Sequence, residues 1–391
     1  MSIDRALTST RQPTALEQNL FGVNVGNIHQ LLPGVIVAAL LALCATWLSQ
    51  AIGVGLLGFT SSPLSSVTVA VVLGLLVGNV LRLPARLKPG LTFAVKKLLR
   101  LGIILLGIRL SLFDVARLGA NGLPVVLLCI ASALLITAQV GRWLGLSPRL
   151  ATLIAVGTSI CGVSAIVATA GAIDADDEEV AYAVATITLF GLLATFLYPY
   201  LAHALFGGDA VRAGLFMGTA IHDTSQVTGA AMIYAETFAL PQGLDAATVT
   251  KLVRNVFMAV VIPCMALSCR RRGNEQTAET TRFALAQWLP LFVIGFLALA
   301  AARTLGDGGL TAGGRALGLL DAAGWRALYS AAGRWAADLL TVALAAVGLS
   351  TRLEVFKGLG FKPLLVGLGA ALTVGVIGVI GIVMVGATLG C

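Results

Sequence analysis

Charge is scarce in this sequence. Asp, Glu, Lys and Arg make up 11 % of its 391 residues, against about 25 % in a soluble domain. With 58 % hydrophobic residues and a mean hydropathy of +0.95, that shortage excludes a cytoplasmic enzyme, a disordered chain and a secreted disulfide scaffold. Catalytic signatures are missing too. There is no HExxH, no Walker A motif, no GxSxG and no glycine-rich turn after a strand. No ATP-binding segment is present, so any transport draws on ion or substrate gradients. Cys44, Cys129, Cys161, Cys264, Cys269 and Cys391 form no CxxC and no Cys/His metal spacing. The sequence therefore implies no cofactor and no metal. The first ~30 residues lack the charged, apolar and small-residue order of a cleaved signal peptide.

What the chain does have is apolar runs, each long enough for the roughly 20 residues that span a bilayer. Eleven candidate spans fall at about 32–57, 67–83, 91–112, 123–146, 150–173, 180–206, 213–238, 249–268, 285–302, 336–359 and 361–389. The expected fold class is an all-α polytopic membrane protein with lipid as its surroundings. The formal charge of +8 does not indicate nucleic acid, because the basic residues sit between apolar runs. With the N-terminus inside, one side collects Arg5, Arg11, Arg82, Arg86, Lys88, Lys96, Lys97, Arg100, Arg142, Arg149, Arg212 and the basic residues from Arg270 to Arg282. It also takes Arg352, Lys357 and Lys362. The positive-inside rule then predicts a cytoplasmic N-terminus and an outside C-terminus. The acidic run Asp174–Glu179 and a long loop at 303–334 fall outside. GxxxG-like spacing at Gly74 and Gly78 serves a homodimer as readily as internal packing.

Short matches recur five spans apart. GLLVGN at 74–79 resembles GLFMGT at 214–219, and KLLR at 97–100 resembles KLVR at 251–254. Leu123-Pro124 resembles Leu289-Pro290, and AVGTS at 155–159 resembles AVGLS at 346–350. Their collinearity predicts inverted five-span repeats over 67–206 and 213–389. A cytoplasmic segment at 1–31 and an extra helix at 32–57 precede them. Inverted repeats with broken helices mark secondary transporters, whose substrate binds near the midplane. Recurrent glycine-rich helix packing is the alternative.

Two motifs carry polar chemistry inside spans. GTSICGVS at 157–164 places Gly157, Thr158, Ser159, Gly162 and Ser164 together, a composition poor for a continuous helix. A half-helix starting there offers N-terminal amides to an anion; a Gly/Ser seam between continuous helices is the alternative. GTAIHDTSQVTG at 218–229 contributes Gly218, Thr219, Ser225 and Gln226, with His222 and Asp223 as a proton-coupling pair or a structural one. The pattern G-T-x-I-x-x-x-S fits both motifs. Arg109 either lies near mid-membrane facing an anionic substrate or snorkels to the outer interface. Arg352 poses the same question with Glu354. Cys161 and His222 could imitate a nucleophile and base, but nothing independent supports catalysis.

KKLLRLGIILLGIRLSLFDV, GTSICGVSAIVATAGAI, GTAIHDTSQVTGAA and AAVGLSTRLEVFKGLGFKPLL, in that order, resemble the YeiH-type family of bacterial inner-membrane proteins. The resemblance runs from about Leu73 to the C-terminus. Members are named as sulfate export transporters, which implies a multi-span carrier related to bile-acid-symporter-like folds. On that analogy two broken helices cross at Gly157–Gly162 in span 5 and at Gly348–Ser350 in span 10. The expectation is a secondary transporter of sulfate or a sulfonate-like organic anion, coupled to protons. A Na⁺-coupled carrier of organic acids and an anion channel are the alternatives.

Overall fold

The computed structural model describes residues 25–56, 62, 65–273, 291–354 and 360–389. Most of the expected N-terminal segment, residues 285–290 of the ninth span, and Cys391 lie outside them. The chain is helical, and an isolated bridge between Ala316 and Leu320 is the only β-pairing among the described residues. Seven of the described helices are long and apolar enough to cross a membrane, and Ser66–Val80 is a shorter apolar helix.

The helices are α1 (Leu32–Gln50), α2 (Ser66–Val80), α3 (Lys88–Phe93), α4 (Leu99–Leu106), α5 (Leu112–Trp143), α6 (Pro148–Ser159) and α7 (Val163–Ala170). They continue with α8 (Asp177–Leu205), α9 (Ala210–Ala220), α10 (Thr224–Phe238), α11 (Gln242–Val256) and α12 (Met258–Gly273). The last three are α13 (Leu291–Gly313), α14 (Ala322–Ser350) and α15 (Phe361–Leu389). A π turn at Ala94–Leu98 joins α3 to α4, and a 3-10 turn at Gly107–Arg109 ends that run. Local sequence explains the starts. Ser111 and Asp114 form a capping box on α5, as Asp176 and Glu179 do on α8. Ser147 caps α6 with Pro148 at its first position.

The fifth and seventh expected spans are not single helices. Each is a helical hairpin that turns back. At the first, Ser147 before α6 donates its hydroxyl hydrogen to Glu179 in the first turn of α8. Leu150 and Ile154 of α6 share one apolar cluster with Ile166 and Ala170 of α7. The base of α6, the end of α7 and the start of α8 therefore lie on one face of the protein. At the second hairpin, α9 runs beside α11 in the same direction. A Cβ on Gly214 would stand 2.5 Å from the Gly243 carbonyl, and one on Gly218 would stand 2.7 Å from Thr250 Cβ. Helix α10 runs the other way, with Tyr234 against Gly243 and Thr224 bonded to Asn255. Its ends lie on the opposite face, where Asp209, Arg212, Asp245 and Val385 line one cavity.

This arrangement corrects several expectations. The acidic run Asp174–Glu179 shares the face of Ser147 instead of lying across from it, and Arg212 moves to the opposite face. The stretch at 303–334 is the end of α13 and the start of α14, joined by a tight turn, rather than a long loop. AVGTS and AVGLS have different settings: the first ends half-helix α6, the second ends the continuous α14. Helix α14 runs unbroken through Gly348 to Ser350, so no broken crossing helix lies there. Gly348 serves packing, since a Cβ on it would stand 2.5 Å from the Val71 carbonyl of α2. Gly74 and Gly78 meet α14 in the same seam, so their spacing works within the chain. The described ends of the chain lie on opposite faces. Gly34 of α1 lies against Gly90 of α3, whereas Ile382 and Val385 of α15 line the cavity with Asp209.

Candidate substrate site at the hairpin tips

Two breaks bring four half-helix ends together. Residues 160–162 separate α6 from α7, and residues 221–223 separate α9 from α10. Gly162, with φ +72° and ψ −124°, makes the first turn in a conformation that side chains disfavour. Asp223 of the second tip lies directly beside it, with Oδ2 3.3 Å from where a Gly162 Cβ would stand.

Lys251 and Arg254 of α11 hold both tips. Lys251 Nζ donates to the carbonyls of Ile160 (2.9 Å), Ile221 (3.1 Å) and His222. Arg254 donates from Nε to Ser159 O (2.7 Å), from Nη1 to Thr219 O (2.6 Å) and Ile221 O (3.0 Å), and from Nη2 to Thr158 O. These are the carbonyls that α6 and α9 leave unpaired at their C-terminal ends, where a cation also meets the negative end of the helix dipole. Both cations are buried, at 1 % and 0 % exposure. Among the described residues neither stands in an ion pair. Two positive charges are thus solvated by backbone dipoles alone, with the Asp223 carboxylate as the nearby negative charge.

The N-terminal ends differ from one another. Asp223 caps α10, accepting from Ser225 N–H at 2.8 Å and Ser225 Oγ–H at 2.6 Å, while its own N–H donates to Gln226 Oε1 at 3.2 Å. Gln226 extends to the Thr188 carbonyl of α8. Helix α7 begins at Gly162 with no side-chain cap, and Ser164 in its first turn is exposed. A helix start without a side-chain cap is one that can receive an anion.

The expected site residues therefore divide. Gly157, Thr158, Ser159, Gly162, Gly218, Thr219, His222, Asp223, Ser225 and Gln226 all sit at or beside the tips. The hydroxyls of Thr158, Ser159 and Thr219, however, donate back to Ile154, Val156 and Leu215 of their own helices. Their donors are not aimed at a ligand. His222 is 1 % exposed, and its Nδ1 has no hydrogen-bond partner. No hydrogen bond joins it to Asp223. Asn255, 2 % exposed, donates to Thr224 but leaves Oδ1 unpartnered. Arg109 lies away from the tips, paired with Asp245 at 3.2 Å where α4 ends. Arg352 donates to the Gly78 carbonyl rather than pairing with Glu354.

Lys251 and Arg254 escaped the sequence reading as site residues, because KLVR served there only as a repeat match. The signal was available: two basic residues three apart, inside an otherwise apolar span, are intramembrane ionisable groups and functional candidates by default.

The fold and this centre define a polytopic helical membrane protein built around two opposed half-helix hairpins. The chain belongs to the family described as Conserved hypothetical protein 698, which matches residues 33–367, in keeping with the YeiH-type resemblance. A UPF0324 membrane protein of Streptococcus pyogenes serotype M3 is 34 % identical over 337 residues, covering 86 % of this chain and 92 % of its own. A UPF0324 membrane protein of Corynebacterium glutamicum is 30 % identical over 351 residues, covering 89 % and 91 %. The UPF0324 membrane protein TauZ of Paracoccus pantotrophus is 33 % identical over 331 residues, covering 84 % and 88 %. No solved structure matches.

Proposed function

We propose that this protein is a secondary active transporter of a small oxyanion, sulfate or a sulfonate-like organic anion, working by alternating access in the bacterial inner membrane. The observation that carries the reading is the charge at the tips: two buried cations on α11 against one carboxylate. Buried charge without a counter-charge is costly, and a bound anion beside the uncapped start of α7 would supply the balance. Discontinuous helices whose N-termini meet at depth recur at transporter substrate sites, and irregular backbone is tolerated there only where protein or a polar cavity satisfies it.

The inverted relation we propose differs from the five-span repeat. Hairpin α6–α7 followed by α8 corresponds to hairpin α9–α10 followed by α11. The two units start from opposite faces, with G-T-x-I-x-x-x-S at both tips. The expected division between 206 and 213 keeps one hairpin in each half. The face holding Arg142, Arg149 and Lys362 is the cytoplasmic one by the positive-inside rule. His222 and Asp223 couple transport to protons: one is a buried imidazole with an unpartnered nitrogen, the other a carboxylate beside both half-helix starts.

Labelled-sulfate counterflow in proteoliposomes, with and without a pH gradient, tests the reading. Counterflow that sulfonates compete and a pH gradient alters is the expected result. Absence of counterflow from folded, inserted protein would sink the sulfate assignment. Na⁺-coupled carriage is the second reading, favoured by the unpartnered Asn255 Oδ1 near Asp223. A Na⁺ requirement without a pH response would select it.

A further inference from the structure

We infer that the face opposite Ser147 carries a second oxyanion site, separate from the hairpin tips and built by Arg109, Arg303 and Arg334. The three side chains line one cavity of about 560 Å³ between the end of α4 and helices α13 and α14. Each is held in place by a contact that leaves most of its donors uncommitted. Arg109 gives one Nη2–H to Asp245. Arg303 gives Nε–H to Asp307 at 2.7 Å and a long Nη1–H contact to the Ile108 carbonyl, while its guanidinium lies 3.7 Å over the Tyr329 ring. Arg334 gives one Nη1–H to Ser330 at 2.8 Å. A guanidinium has five N–H donors, so the named bonds orient the three forks and leave the larger share for a ligand. Arg forks suit the paired oxygens of sulfate, sulfonate or phosphate.

The charge balance points the same way. Asp245 and Asp307 are the carboxylates bonded to these arginines, and Asp307 spends its other oxygen on Trp325 Nε1. Three cations against two anions leave the cavity positive. A cleft with a net positive charge also concentrates anions.

The position adds a reason for the site. Arg109 lines this cavity, whereas its partner Asp245 lines the neighbouring one with Asp209 and Arg212, so the ion pair is the wall between them. Asp245 is also near the start of α11. Lys251 follows six residues later, about 9 Å deeper at 1.5 Å per residue. On the proposed transport reading, an oxyanion held at the arginines is gathered beside the helix that carries Lys251 and Arg254. The same chemistry fits two sources, a free sulfate or sulfonate and the phosphate of an anionic lipid headgroup.

The test is local to the cavity. Gly333 lines it, and a Cβ there meets nothing within 4 Å, so G333C introduces a reporter thiol without crowding. The cavity-lining Ala337 gives a second reporter, A337C. Each variant is labelled in phosphatidylcholine liposomes with an anionic and a cationic methanethiosulfonate, with wild-type labelling subtracted. The ratio of the two rates is compared with that of a free thiol. A shift of about tenfold toward the anionic reagent, reversed by adding R334A, is expected. Protection by millimolar sulfate identifies the free anion as the occupant. Protection by phosphatidylglycerol in the bilayer, without protection by sulfate, identifies the lipid headgroup. A rate ratio equal to that of the free thiol in both reporters, with no protection by either, overturns the proposal. Loss of counterflow with this site intact would instead count against the tips.

Discussion

Replacing Arg254 with methionine removes a cation but keeps most of the buried volume, and its cost follows from the hydrogen bonds. Four carbonyls receive Arg254: Thr158, Ser159, Thr219 and Ile221. Ile221 keeps a donor from Lys251, so three are stranded. A buried acceptor left unpaired costs about 1–3 kcal/mol, giving about 3–9 kcal/mol before relaxation. Relief of the buried charge offsets part of that, so a net loss of about 4 kcal/mol is the working figure. At about 2 °C per kcal/mol for a large domain, the thermal midpoint in detergent should fall by about 8 °C. R254K, which keeps the charge but has three donors on a compact head, should fall between the parent and R254M. Midpoints followed by fluorescence-detected size exclusion read this directly. R254M melting within about 2 °C of the parent would refute the reasoning, because the two tips would then not depend on the α11 clamp.

Further predictions separate binding from packing. G162A forces a side chain into φ +72° and against Asp223, a strain of about 1–3 kcal/mol, so counterflow should drop severalfold while the protein still purifies as a monodisperse peak. D223N keeps a good N-cap for α10 but removes the negative charge nearest the buried Lys251 and Arg254, so its thermal midpoint should fall below the parent's while the protein still purifies as a monodisperse peak. Response of transport to a pH gradient should disappear; a retained response would remove Asp223 from the coupling role. G348A presses a methyl onto the Val71 carbonyl of α2 and should lower thermal stability while leaving the half-saturating sulfate concentration unchanged. A weakened sulfate affinity in G348A would return that glycine to the substrate site.

Much of the centre was legible in the sequence, because both tips are written as Gly, Thr and Ser clusters inside apolar runs. Such clusters predict an interrupted helix, and interruptions occur at 160–162 and 221–223. Hydropathy could not reveal that the interrupted segments turn back. A half-helix pair and a full crossing contain the same number of apolar residues, and the distinction lies in long-range contacts such as Ser147 with Glu179. The acidic run at 174–179 was misplaced for that reason: one re-entrant segment reverses the assigned side of the loop that follows. The role of Gly348 was misread because a glycine that breaks a helix and a glycine that admits a neighbouring backbone look alike in sequence. Lys251 and Arg254 were visible as charges in an apolar span, but their partners are backbone carbonyls, which no side-chain pattern advertises.

Sided labelling of single cysteines reads the opposed hairpins directly. R149C and G171C flank the first hairpin, and G207C and A239C flank the second. Membrane-impermeant maleimide applied to right-side-out and inside-out vesicles should label R149C and G171C from one side, the cytoplasmic one. It should label G207C and A239C from the other. Labelling of R149C and G171C from opposite sides would make the segment a full crossing and contradict the account.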